Sequence, residues 1–265
     1  MVFDFTEKDS CGVGFIASRD IPPTHGMTLK IVECLSNLDH RGAKFSDGTG
    51  DGAGVLTDIP IELIETELDE RKIEYDEDQT FGIISCFFDK QNIKTAKELI
   101  ETLLKKNNIN LLTWRKVPTD SEVLGLLAKT SKPSIHQAIV LSNNNNQNDF
   151  EKVLFLLRKE VEKEIVEKRY LKIHINSCSS KTVVYKGLFT ASLISDFYWD
   201  LRNSLYKTRF GIFHQRFSTN TSSSWDKAQP LRMIAHNGEI NTIQSNYSWM
   251  KARENNAESN FWGEE

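Results

Sequence analysis

Short apolar runs alternate along this chain with segments whose apolar residues recur at helical spacing. That alternation restricts it to folds in which helices pack on sheets. Residues 12–18 have the length and character of a buried strand, and Met27, Ile31, Val32, Leu35 and Leu38 then mark one face of a helix running to His40. A glycine-rich segment, SDGTGDGAG at 46–54, feeds a second strand, AGVLTDI, which stops before Pro60. Helices are expected near 61–72, 91–106 and 150–168, and strands at 81–88, 109–117 and 135–142. The tract SNNNNQN at 142–148 reads as a solvated loop too short to separate domains. Short strands follow at 171–176, 181–186 and 209–214, then the polar loop STNTSSSWDKAQP, then LRMIAHNGEINTI and a helix to Glu254. The class is mixed α and β, and one continuous domain is preferred.

With 265 residues, 39% of them apolar and 26% charged, the chain can bury a sizeable core. Its net charge is −4 and its basic residues are dispersed, which gives no footprint for nucleic acid. The longest apolar runs, such as 81–88, fall far short of the ~20 residues that span a membrane. MVFDFTEKDS at the start lacks the basic, apolar and small-residue regions of a secretory signal. Cysteines at 11, 34, 86 and 178 show no CxxC spacing, so neither a metal site nor a disulfide framework is expected. Reduced thiols in a cytosol-like compartment are the default.

Cys11 stands between that polar decapeptide and the apolar run GVGFIA, so removal of residues 1–10 leaves a cysteine at the head of a core strand. Such a residue combines nucleophile and base, because its own α-amino group, with an unperturbed pKa of about 7.7 to 8.0, takes the thiol proton near neutral pH. Taken alone, an apolar-flanked cysteine is more often a small core residue. Arg216, at the end of a strand in HQRFSTNT, can hold a carboxylate through two parallel hydrogen bonds. Asn237 and Gly238 offer a side-chain amide and an unhindered backbone N–H, the donors an oxyanion hole needs, although Asn-Gly by itself more often marks a hairpin turn. GTGDGAG fits neither GxGxxG nor a P-loop and reads as a tight loop with close backbone packing. Arg41 in HRGA is compatible with capping the preceding helix.

Taken together, CGVGFIA at 11–17, HRGA at 40–43, TGDGAGVLTDIP at 49–60, VVYKG at 183–187, HQRFSTNT at 214–221, AQP at 228–230, and AHNGEINTI with WMKARE within 235–254 resemble the signature blocks of the glutamine amidotransferase domain of glutamate synthases. The blocks follow the family's order and cover nearly the whole chain. The resemblance implies an α+β fold of the amino-terminal-nucleophile hydrolase type, a four-layer αββα sandwich truncated at the C-terminus. Residues 1–10 would be a leader and 11–265 the amidotransferase domain, incomplete at its C-terminal end. Cys11 matches the nucleophile exposed when the leader is cut, Arg216 the arginine that grips the glutamine α-carboxylate, and Thr219 a neighbouring substrate contact. Asn237 and Gly238 match the oxyanion-hole pair, and Arg41 falls in a shared block with a supporting role.

The implied reaction is hydrolysis of glutamine to glutamate and ammonia, the ammonia aminating 2-oxoglutarate in the full-length enzyme. No cofactor or metal is expected in this chain; FMN and an iron-sulfur cluster are implied for the synthase part alone. The implied partners are glutamine, the synthase region, and an electron-donating small subunit or ferredoxin, with no nucleic acid or membrane. The implied compartment is the cytoplasm, or the plastid stroma in a photosynthetic eukaryote. Ser222 and Ser223 stand where relatives have an aromatic and a proline, and Ser245 where a glycine is usual, which predicts a less rigid loop after Arg216. The family's acidic residue for the substrate amino group has no assigned counterpart here. Two other readings are a different amino-terminal-nucleophile amidase, opposed by the carboxylate that Arg216 demands, and a non-catalytic truncated remnant, suggested by the abrupt end at Glu265.

Overall fold

The structure, a computed structural model, describes residues 12–19, 21–76, 78–143, 146–168, 171–216, 222–231 and 243–256. The chain divides into two compact units, Met1–Arg232 and Met233–Glu265. Among the described residues of the first, eight strands form two antiparallel sheets. Sheet I has the order β1-β8-β2-β7, built from β1 (Gly12–Ala17), β8 (Phe210–Gln215), β2 (Ala53–Asp58) and β7 (Thr182–Gly187). Sheet II has the order β4-β5-β3-β6, built from β4 (Asn110–Lys116), β5 (Ser134–Leu141), β3 (Phe81–Phe88) and β6 (Ile173–Ser179).

Strand periodicity decides how the sheets pack. Along β3, Ile83 and Phe87 point to one side and Ile84, Cys86 and Phe88 to the other, as the two-residue repeat of a pleated strand requires. The first side joins Val55, Val183, Tyr185 and Phe213 of sheet I in a shared core, so the sheets form a sandwich. Ile31 and Leu35 of α1 (His25–Ser36) and Ile64 and Leu68 of α2 (Ile61–Glu70) complete that core. The second side packs under α3 (Ile93–Lys106) and α5 (Gln147–Glu167). Helix α5 starts at Asn146, whose side chain accepts from the N–H groups of Asn148 and Asp149, and it buries Phe150, Leu154, Leu157 and Val161 along one stripe. Two antiparallel sheets with helices over sheet II are what the α+β expectation requires. On the far face of sheet I, Val13, Phe15 and Ile212 are exposed, Phe15 by 79%.

Three details depart from the sequence reading. The first helix ends at Ser36, not at His40, and residues 39–41 form a separate 3-10 turn. Helices α4 (Leu126–Ser131) and α6 (Ile194–Phe197) were not expected, being too short to show a period. A buried polar network also joins the two sheets. Arg115 of β4 is 1% exposed and donates to both carboxylate oxygens of Asp200 at 2.8 and 3.0 Å, to Gln137 Oε1 at 2.7 Å and to Glu67 Oε2 at 2.6 Å. Tyr185 of β7 donates to Asp200 Oδ2 at 2.7 Å. Burial, reinforced by the Asp200 charge, pushes the Tyr185 phenol well above its usual range.

In the second unit, α7 (Gln244–Arg253) buries none of its residues. Among the described residues no helix is long and apolar enough to cross a membrane.

Candidate active site

Sheet I draws the neighbours of two predicted residues together. Gly12, which follows Cys11 in the chain, is the register partner of Gln215, which precedes Arg216. Ala53 of β2 pairs with Gln215 from the other side. The head of β1 and the end of β8 therefore lie about 5 Å apart at one edge of the sheet.

Arg216 sits where β8 ends, with φ at +79°, a left-handed conformation uncommon for a residue with a side chain. It is held there by its N–H, which donates to the Gly52 carbonyl at 2.7 Å. Gly52 has φ at +125°, which only glycine adopts without strain, and this turns its carbonyl toward β8. The preceding residue, Asp51, places Oδ2 3.3 Å from Arg216 Nε. Asp51 is 3% exposed, and burial pushes its carboxyl above the usual range against the opposing pull of the Ala43 backbone and the Arg216 charge. Gln215 Nε2 donates to the other oxygen of Asp51 at 3.4 Å. A side chain at position 42 would overlap the Gln215 amide, so the glycine of HRGA makes that approach possible.

Arg41 ends the 3-10 turn rather than α1, whose last turn holds no basic residue, so the helix-capping reading does not apply. Its Cβ and Cγ lie 3.1 and 3.3 Å from where a Cβ on Gly12 would stand, which sets the arginine against the residue after Cys11. Among the described residues, Asp51 Oδ2, Gln215 Oε1 and Arg216 Nε are polar atoms shielded from solvent without a hydrogen bond. His214 is lowered to about 4 by burial, so it is neutral near pH 7 and offers no proton there.

Cys11, Thr219, Asn237 and Gly238 lie outside the described residues. Asp51, Gln215 and Gly42 were not singled out from sequence, although each lies within a quoted block. An acid inside a glycine-rich loop was the one signal available for Asp51. The reading of that loop as close backbone packing holds at Gly50, where a Cβ would stand 2.2 Å from the Phe189 carbonyl carbon.

A family model described as class-II glutamine amidotransferases matches residues 11–265. The chain is 40% identical over 260 residues to the ferredoxin-dependent glutamate synthase of Pyropia yezoensis, an alignment covering 97% of this chain and 17% of that protein. It is 37% identical over 262 residues to the chloroplastic ferredoxin-dependent glutamate synthase 2 of Arabidopsis thaliana, covering 97% and 16%. To the NADH glutamate synthase of Saccharomyces cerevisiae it is 38% identical over 261 residues, covering 94% and 12%. The chain thus spans less than a fifth of the length of these relatives.

Proposed function

We propose a mechanism from one premise: the chain belongs to the class-II glutamine amidotransferases, a family of glutamine-hydrolysing enzymes. The α-amino group of Cys11 takes the thiol proton, and the thiolate attacks the side-chain carboxamide carbon of glutamine. The carbonyl electrons move to oxygen, which accepts hydrogen bonds from the Asn237 amide and the Gly238 N–H. Collapse breaks the C–N bond, and ammonia leaves with the proton that the α-amino group had taken. Water, deprotonated by the same amine, then adds to the thioester, releasing glutamate and regenerating the thiol. Arg216 grips the α-carboxylate, Thr219 contacts the substrate beside it, and Arg41 supports the strand head that carries Cys11.

The pairing of Gly12 with Gln215 carries this reading, because it sets the strand that follows the nucleophile beside the strand that ends at the carboxylate-binding arginine. Asp51 supports it: its Oδ2 stands 3.3 Å from Arg216 Nε, an opposite charge that holds the guanidinium near the end of β8. Where a synthase region is joined to this chain, the ammonia would pass to it to aminate 2-oxoglutarate, and FMN and an iron-sulfur cluster held by that region would supply the two electrons. The donor is a ferredoxin or a small electron-transferring subunit, and the compartment is the cytoplasm or a plastid stroma.

Arg216→Ala is expected to raise KM for glutamine with a smaller change in kcat, because the carboxylate contact exists throughout the reaction. Asn237→Ala is expected to lower kcat by about 10² to 10³, because the oxyanion exists only near the transition state. Steady-state kinetics of ammonia release separates the two, and identical profiles for both variants would overturn the role assignment.

Residues Met1–Ser10 are expected to be cleaved before the protein turns over glutamine. While Ser10 is attached, the Cys11 nitrogen is an amide, its lone pair delocalised into the carbonyl, and it cannot act as a base. Intact-mass measurement paired with a glutaminase assay tests this. A chain beginning at Met1 or Val2 that matches the rate of one beginning at Cys11 rules out the amino-terminal mechanism.

A further inference from the structure

Lys186, in the VVYKG block on β7, takes no part in the mechanism above, yet it is wholly buried at 0% exposure. Lysine is almost never fully buried unless its ammonium is paired. Here Nζ donates to the backbone carbonyl of Asp226 at 2.7 Å and lies 3.1 Å from His174 Nε2. Burial lowers Lys186 to about 7, opposed by the Asp226 carboxylate and reinforced by Arg158 of α5. Burial, with the Lys186 charge, lowers His174 to about 4, so the imidazole beside the amine is neutral near pH 7.

The bonded carbonyl belongs to Ser222–Leu231, the stretch that follows Arg216 and Thr219 in the chain. This stretch is fastened elsewhere too. Trp225, 5% exposed, packs its ring against Phe87, Phe189 and Phe197 and donates from Nε1 to the Ala128 carbonyl at 3.2 Å. Ala228 packs on Gly52, the residue whose carbonyl holds the N–H of Arg216. Residues 222–231 thus pack against the glycine that anchors Arg216, and Lys186 grips the same stretch at Asp226.

We propose that Lys186 is a positioning residue for glutamine binding: by holding the Asp226 carbonyl it fixes residues 222–231, whose Ala228 packs on Gly52, and so the placement of Arg216, whose N–H the Gly52 carbonyl holds. The proposal rests on the reading of Arg216 as a glutamine contact. A lysine that served only to stabilise the fold would lower the unfolding midpoint without selectively changing the affinity for glutamine.

Lys186→Met keeps an unbranched, flexible side chain one atom shorter and removes the donor. Two measurements on the full chain test the idea: the rate of tryptic cleavage after the exposed Lys227, followed by mass spectrometry, and the kinetics of glutamine hydrolysis. Expected are faster cleavage at Lys227 at an unchanged thermal midpoint, and a KM for glutamine raised about 5- to 10-fold, the scale of one lost hydrogen bond, with a smaller change in kcat. Unchanged cleavage overturns the anchor, and faster cleavage with an unchanged KM overturns its link to substrate. If the parent chain, shown by mass to begin at Cys11, does not hydrolyse glutamine, the functional reading fails while proteolysis still decides the anchor. Should Lys186→Met not fold, Lys186→Gln, one atom too short to reach the Asp226 carbonyl, is read in the same way.

Discussion

Replacing Cys11 with alanine is expected to remove glutamine hydrolysis, a fall on the order of 10⁴ or more in kcat, because no other thiol can take over the attack. Cys86 is buried under α3 and α5, and burial, with Cys178 beside it, pushes its thiol well above the usual range, so it holds no useful fraction of thiolate near neutral pH. Cys178 is also buried and donates its S–H to the Leu154 carbonyl at 3.2 Å. Cys34 is half-buried on α1, packed against the shared core. A glutamine analogue with an electrophilic side chain should therefore add once per chain, at Cys11, as peptide mapping would show. Labelling elsewhere, or ammonia release by the alanine variant at the parent rate, would remove Cys11 from the mechanism.

The second large effect concerns stability. Asp200→Ala is expected to cost about 3 to 5 kcal/mol, since it leaves the Arg115 guanidinium buried at the junction of the sheets without its two-point partner. Glu67 and Gln137 still bond Arg115, but the Tyr185 hydroxyl also loses its acceptor. The surface pair of Lys106 and Glu160, at 2.7 Å, is the natural control: Glu160→Ala should leave the urea midpoint almost unchanged. Urea unfolding followed by tryptophan fluorescence gives both values. A shift for Asp200→Ala no larger than that of the control would show that the network is not needed to hold the sheets together.

That network also marks where the sequence falls silent. The strands were legible because burial on one or both faces leaves a repeat of two or an unbroken apolar run, as in FGIISCFF, and α5 was legible from its buried stripe. Helices α4 and α6 carry too few residues to show a period. Arg115 sits in TWRK, where an arginine looks like any polar residue of a strand, and its partner Asp200 lies in a distant 3-10 turn. Nothing local joins them.

The candidate site divides in the same way. Arg216 could be picked out because a strand ends there in a polar block, and Cys11 because an apolar strand begins after it. The Asp51 contact exists only because β2 pairs with β8, a fact of sheet order, and sheet order is not written in any one segment. Arg41 reads as a helix cap until α1 is seen to stop earlier and the arginine to lie against Gly12.

The order of sheet I has a consequence in time. Among the described residues β1 pairs only with β8, so the first strand to be synthesised finds its partner last. At about 5 to 20 residues per second, the intervening chain takes the ribosome roughly 10 to 40 s to make. Throughout that interval the strand that follows Cys11 has no ladder to join. The edge where β1 meets β8 is thus assembled late in the life of the nascent chain, after sheet II and its helices, whose contacts close earlier, have had time to form a platform.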